Sequence, residues 1–187
     1  MSSLVRSAYA FLAHNYEDQD EIFFFGFSRG AYIARSIAGL VTSLGLLTKQ
    51  GMDHFPVVYE SYYNHEAHRG LEGESDGPFE TVHRKLVEDL VDKRLLNIQA
   101  KDAVKVVGVF DTVGFHREGA SGEKFEFRNT ELSPRVQAGY HALSLDERRQ
   151  PFEPTLWKKV SALELSAAAK QQQATCCAIC PGTVFHI

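Results

Sequence analysis

The sequence predicts a three-layer α/β fold with a mostly parallel β-sheet, on three observations. An apolar run at residues 22–25 leads directly into a serine between two glycines and then into a helical pattern. A second apolar run at residues 104–110 ends in an aspartate. Between these runs, apolar residues recur every three or four positions, the spacing of helices with one buried face. Strands that alternate with helices in this way are typical of a parallel sheet covered by helices.

The motif Gly-Phe-Ser-Arg-Gly at residues 26–30 predicts a nucleophile elbow, the tight strand-to-helix turn of α/β-hydrolases. Gly26 and Gly30 suit this turn, because residues without a Cβ tolerate strained dihedral angles and let the helix pack close to the strand. Ser28 would stand at the carboxyl end of the sheet. The Arg29 N–H would point at the oxyanion that forms when the Ser28 hydroxyl attacks a carbonyl. The alternative is an ordinary strand–turn–helix corner.

Composition excludes several classes of protein. The chain has 187 residues, 24% of them charged and 44% hydrophobic, which is ordinary for one globular domain. Its net charge is −4 and it has no long basic run, so we expect no nucleic-acid partner. No apolar stretch reaches the roughly 18 residues of a transmembrane helix, and the first residues lack the layout of a signal peptide. The default location is the cytoplasm, with secretion by a signal-independent route left open, and no pattern predicts an oligomeric state.

The N-terminal region is short for an α/β-hydrolase. Residues 3–15 predict a helix with one apolar face, and residues 16–20 predict a polar turn into the first strand. Only 27 residues precede Ser28, whereas this fold places several strands before its nucleophile. We therefore expect the fold to be incomplete at its N-terminus.

Residues 46–100 are predicted to form a cap or insertion between the two strands. Residues 46–69 carry several tyrosines and histidines and indicate a helical cover over the core, or alternatively a lid that lines an acyl or glycerol pocket. Residues 70–77 indicate a polar loop, and residues 79–90 an amphipathic helix. His65 and His68 have no acidic or thiol partner at ligand spacing, so we predict no metal site there.

The apolar run at residues 104–110 reads as a buried parallel strand that delivers Asp111 at its carboxyl end. A carboxylate in that place can accept a hydrogen bond from a histidine Nδ1–H, which fixes the tautomer and stabilises the imidazolium. Asp111 follows Ser28 in the chain order of α/β-hydrolase triads. The alternative is that Asp111 caps the following turn.

Residues 135–149 predict a further helix, with Ser133 as its N-cap and His141 in its middle. A histidine inside a helix is more often a packing or hydrogen-bonding residue than a general base. In α/β-hydrolases the catalytic histidine lies on a loop after the last strand.

Three blocks together resemble one α/β-hydrolase family: GFSRGAYIARSIAG at residues 26–39, VGVFDTVG at residues 107–114 and YHALSLDERRQPFEPTLW at residues 140–157. This family, long called a domain of unknown function, includes the catalytic domain of type VI secretion phospholipase effectors, with related proteins in bacteria and fungi. The likeness covers about residues 4–157. It implies hydrolysis of carboxylic esters, phospholipids in the effectors, with Ser28 as nucleophile and Asp111 as triad acid.

The chain departs from the family pattern at both ends. The family's N-terminal strand with its Asp-Gly-Thr-type loop is absent, and so is the Trp-Phe-Pro-Gly-x-His loop that is expected to supply the base. Residues 158–187 look alien to the fold, and we expect a poorly ordered or mis-framed tail. Within the tail, residues 181–186 resemble the missing loop with its histidine displaced by two positions, so His186 is a second candidate base beside His141. Cys176, Cys177 and Cys180 are predicted to be incidental thiols.

The sequence thus predicts a partial α/β-hydrolase-like domain at residues 1–157, incomplete at both ends, and an atypical tail at residues 158–187. The predicted activity is hydrolysis of a small-molecule or lipid ester, possible without a cofactor or metal, by Ser28, Asp111 and either His186 or His141. Two alternatives stay open. One is a catalytically inactive remnant or protein-interaction domain, and the other is a serine peptidase that needs the same residues.

Overall fold

The computed structural model describes residues 2–68, 78–112, 132–144 and 155–157. The helices and strands within these ranges alternate along most of the chain. They are α1 (Ser2–Asn15), β1 (Ile22–Phe27), α2 (Arg29–Leu44), β2 (Leu46–Leu47), α3 (Phe55–His68), α4 (Pro78–Asp92), β3 (Leu96–Asn97), β4 (Val104–Phe110) and β5 (Ala138–Ala142). Short 3₁₀ turns lie at Gln50–His54 and Ile98–Asp102.

The main sheet has the strand order β1-β4-β5, and both strand pairs are parallel. Phe25 lies opposite Gly108, and Val109 lies opposite His141. A separate antiparallel pair joins β2 to β3. The mixture of helices with a mostly parallel sheet confirms the predicted α/β class.

Helix α2 packs on one face of the main sheet. Val107 and Val109 of β4 point to this face and are buried, with exposed fractions of 1% each. Gly26 of β1 lies on the same face, where an added Cβ would come within 2.5 Å of the Gly30 carbonyl oxygen. Because α2 begins directly after β1 and lies so close to it, the turn between them is tight.

The opposite face of the sheet carries a row of exposed aromatic side chains. Phe23 is 51% exposed, and Phe25 and Phe27 are each 69% exposed. Phe110 and Tyr140 on the neighbouring strands are each 49% exposed. Strand β1 therefore exposes alternate residues, although a continuous apolar run is typical of a strand buried on both faces. The side chains of a strand alternate between its two faces. On β1 the exposed side chains are those on the face opposite α2.

A buried tyrosine ties α1 to the turn that follows α2. The Tyr9 hydroxyl donates to the Gly45 carbonyl at 3.0 Å and accepts from the Leu47 N–H at 2.9 Å. Its side chain is fully buried and packs against Phe55, so burial raises the pKa of Tyr9. Gly45, which ends α2, has φ 98°, a conformation that favours glycine. Tyr9 thus provides hydrogen-bond partners for two backbone groups in the segment that follows α2, the Gly45 carbonyl and the Leu47 N–H.

The other predicted elements meet different outcomes. The helices at residues 3–15 and 79–90 are confirmed as α1 and α4. The helix predicted at residues 135–149 is wrong, because residues 138–142 form β5 and pair with β4. The loop at residues 70–77, His186 and the three cysteines lie outside the described residues. Among the residues that are described, no helix is both long and apolar enough to cross a membrane.

Candidate active site

Ser28 occupies the turn between β1 and α2 in an unusual backbone conformation. Its φ is 54° and its ψ is −116°, outside the left-handed helical region that non-glycine residues with positive φ usually adopt. Its N–H donates to the Phe110 carbonyl at 2.8 Å, and its own carbonyl accepts from the Tyr32 N–H at 3.3 Å. Its hydroxyl makes no capping hydrogen bond to α2, although serine is a favoured N-cap residue. Ser28 therefore stands at the positive end of a 16-residue helix without serving as its side-chain cap.

The two glycines of the motif have different environments. At Gly26 a Cβ would also lie 2.6 Å from the Ala31 Cα, so the close approach of strand and helix requires a residue without a side chain. At Gly30 a Cβ would meet no atom of the described residues within 4 Å. Nothing in the structure explains the glycine at position 30.

Asp111 follows β4 directly, on the strand next to the one that carries Ser28. The Ser28 N–H is bonded to the carbonyl of Phe110, the residue before Asp111. The Asp111 N–H donates to the Ala142 carbonyl at 2.9 Å, and its Oδ1 accepts a hydrogen bond from the Ser144 N–H. The structure thus brings Ser28 and Asp111 to the same edge of the sheet. The Asp111 carboxylate thus binds the backbone just after β5. This contact differs from the alternative considered from the sequence, in which Asp111 caps the turn that follows it.

Comparison with known proteins identifies the family of the chain. The model of the family described as "T6SS, Phospholipase effector Tle1-like, catalytic domain" matches residues 1–177. The chain belongs to this family. The uncharacterized protein YEL023C of Saccharomyces cerevisiae is 32% identical over 148 residues, which are 79% of this chain and 20% of that protein. The chain therefore spans about a fifth of the length of this relative. No solved structure matches the present chain.

In this Tle1-like chain, His141 lies on β5 below the edge where Asp111 stands. It pairs with Val109, two residues before Asp111, which is about 6–7 Å along the strand. Its ring packs edge-on against Trp157, with the ring centroids 5.2 Å apart. Burial and the nearby Arg35 charge lower the pKa of His141 to about 4, although Asp111 acts in the opposite direction. His141 is therefore neutral at physiological pH, and its position suits packing more than proton transfer. The Tle1-like chain's other candidate base, His186, lies outside the described residues.

Arg35, a buried residue of α2, was not among the functional residues predicted from the sequence. It is only 5% exposed, and its guanidinium donates to the Thr155 carbonyl at 2.5 Å and the Leu156 carbonyl at 3.4 Å. Burial lowers the pKa of Arg35 to about 10, so the group remains charged at neutral pH. One signal could have found it, since Arg35 falls among the apolar positions of an amphipathic helix. A charged residue in that stripe indicates a buried partner.

Metal-ligating residues do not cluster in the described ranges. No group of three or more His, Cys, Asp or Glu side chains there is arranged to hold a metal ion.

Proposed function

We propose that the chain is a serine hydrolase of carboxylic esters on an α/β-hydrolase fold, with lipid esters such as phospholipids as its substrate class. The backbone at Ser28 is the observation that carries this proposal. An ordinary N-cap serine has extended dihedral angles and uses its hydroxyl to accept from the helix N–H groups. Ser28 has φ 54° and makes no such bond. Strain of this kind persists where the surrounding structure imposes it, and it concentrates at active sites.

The proposed chemistry is acyl transfer to water. The Ser28 Oγ attacks the ester carbonyl carbon while a histidine accepts the hydroxyl proton. The oxyanion receives a hydrogen bond from the Arg29 N–H, which belongs to the first turn of α2 and has no carbonyl four residues earlier within the helix. The same histidine then protonates the leaving alcohol, and a water molecule repeats the sequence to release the acid.

Asp111 would orient the histidine. Its Oδ1 already accepts the Ser144 N–H, which fixes the carboxylate, so the histidine would use Oδ2. The candidate bases are His186 and His141. His141 is held against Trp157 at a level below the strand ends, which favours His186.

The family description supports lipid esters as substrates, since it names phospholipase effectors. A fluorophosphonate probe tests the nucleophile, because it reacts with an activated serine whatever the natural substrate is. We expect the folded chain to be labelled and Ser28→Ala to abolish labelling. Release of fatty acid from phosphatidylcholine vesicles, compared with hydrolysis of a short-chain water-soluble ester, tests the substrate class.

A second candidate function is a protein-interaction domain that keeps the hydrolase core without activity. The low pKa and packed position of His141 favour it, because they leave His141 poorly suited as a base. A folded chain that the probe does not label would support this second candidate and contradict the hydrolase proposal. If labelling occurs, separate His141→Gln and His186→Gln variants identify the base. Only replacement of the catalytic histidine should lower the labelling rate by orders of magnitude.

A further inference from the structure

Residues 155–157 form a bridge between α2 and the loop that carries Asp111. At one end, the Thr155 N–H donates to the Thr112 carbonyl at 2.8 Å. At the other end, the Arg35 guanidinium holds the carbonyls of Thr155 and Leu156. The guanidinium carbon also lies 5.0 Å from the centroid of the Trp157 ring. All three residues of this bridge are therefore held from α2, the helix that begins after Ser28.

The chemistry of this contact requires arginine. A planar guanidinium can donate to two successive carbonyls and stack on an aromatic ring at the same time, whereas a lysine ammonium is a compact charge that cannot do both. Burying a charge is costly unless it is well hydrogen-bonded. An apolar residue would fill the same space between α2 and the sheet without that cost. The use of a buried arginine here thus points to a role in fixing the bridge.

The bridge also reaches the candidate acid. Thr112 follows Asp111 directly, is fully buried, and receives the Thr155 N–H on its carbonyl. Trp157 packs against His141 on β5. Displacement of residues 155–157 would therefore remove the hydrogen bond to the Thr112 carbonyl next to Asp111, and with it the contact of Trp157 with the His141 ring.

We propose that Arg35 is a positioning residue, which fixes residues 155–157 and through them the loop that holds Asp111 beside Ser28. The proposal rests on the proposed hydrolase function for its effect on reactivity. Its structural step, the anchoring of Trp157 by Arg35, can be measured without any activity.

Trp157 is the only tryptophan of the chain, so intrinsic fluorescence reports on the bridge. The experiment compares the full chain with Arg35→Met, Arg35→Lys and the matched control Arg6→Met, whose arginine is exposed on α1. Folding is checked by far-UV circular dichroism and urea unfolding. If Arg35→Met fails to fold, Arg35→Lys, which keeps the positive charge, serves as the test variant. We expect both Arg35 variants to raise the acrylamide quenching constant of Trp157 at least two-fold and to shift its emission to the red. Arg6→Met should leave both unchanged.

Reactivity is measured as the rate constant of fluorophosphonate labelling at saturating probe, together with the probe concentration that gives half that rate. Both Arg35 variants should lower the rate constant about ten-fold and leave the half-saturating concentration unchanged, because the bridge positions the reacting groups and does not touch the probe. Unchanged Trp157 fluorescence in the folded Arg35 variants would overturn the proposal. So would an exposed Trp157 with an unchanged labelling rate. If the unmodified chain is not labelled, the hydrolase function fails, and fluorescence alone decides whether Arg35 anchors the bridge.

Discussion

Replacement of Ser28 by glycine should stabilise the fold while it removes the proposed nucleophile. Ser28 has φ 54° and ψ −116°, a conformation that glycine adopts without steric cost and that any side chain opposes. Such strain costs about 1–3 kcal/mol. Glycine also loses about 0.4–1 kcal/mol relative to alanine, because its unfolded chain is freer. We therefore expect Ser28→Gly to be more stable than Ser28→Ala by about 1 kcal/mol, or about 2–4 °C in melting temperature for a chain of this size.

Ser36, in the middle of α2, provides the matched control. There the Ser36→Gly variant should be less stable than Ser36→Ala by about 1 kcal/mol, the usual difference between these residues in a helix. Subtracting the comparison at position 36 from that at position 28 largely removes the unfolded-state term and isolates the strain at Ser28. Urea unfolding of the four variants, followed by circular dichroism, measures both differences. If the stability difference between glycine and alanine is the same at position 28 as at position 36, the chain holds Ser28 without strain, and the structural argument for a nucleophile elbow fails.

Three further predictions concern the turn, the core and the response to pH. Gly26→Ala should lower the free energy of unfolding by more than about 2 kcal/mol, because its Cβ would meet backbone atoms of α2. Gly30→Ala, whose Cβ would meet no described atom, should change the free energy of unfolding by less than about 1 kcal/mol. Urea titrations measure both changes. Tyr9→Phe should cost about 2–4 kcal/mol in the same titrations, since it leaves the buried Leu47 N–H and a carbonyl without partners; a loss below 1 kcal/mol would contradict that contact. The pKa of His141 is lowered from 6.5 to about 4 in the folded chain. Between these pH values the histidine is protonated in the unfolded chain and neutral in the folded chain, so stability falls as the pH drops through that window. His141→Phe should lose less stability across it in melting temperatures at each pH, and equal losses in both chains would refute the assignment.

The elements that the sequence predicted well are those in which local pattern and tertiary burial agree. Helix α4 repeats its apolar residues at helical spacing, and Leu90 is indeed buried at 1% exposure. Strand β4 is rich in valine and ends at the residue predicted to end it. The position of Ser28 and Asp111 could be predicted in the same way, because the carboxyl ends of neighbouring parallel strands lie at the same edge of a sheet. Knowing only two strands and their direction therefore sufficed to place Ser28 and Asp111 at one edge.

Strand β5 shows where that logic stops. Val136, Tyr140 and Leu143 are spaced like one face of a helix, and the segment contains alanine and glycine, which are poor strand formers. Its extended form is set by pairing with β4, about 30 residues earlier in the chain, and no local pattern encodes that partner. Tertiary contact overrode the local preference here.

The same limit explains why the positions of Ser28 and Asp111 could be predicted while the position of a base could not. Ser28 and Asp111 are fixed by the strands that immediately precede them, so their place depends on short-range structure. A base must be brought to them by a separate segment. The register of β5 sets His141 two residues below the strand ends, and Trp157, held by Arg35 from a position 122 residues earlier in the chain, covers its ring. Whether a histidine can act as a base or packs against its neighbours thus depends on contacts between segments far apart in sequence. At His141 these contacts run through Trp157 to Arg35.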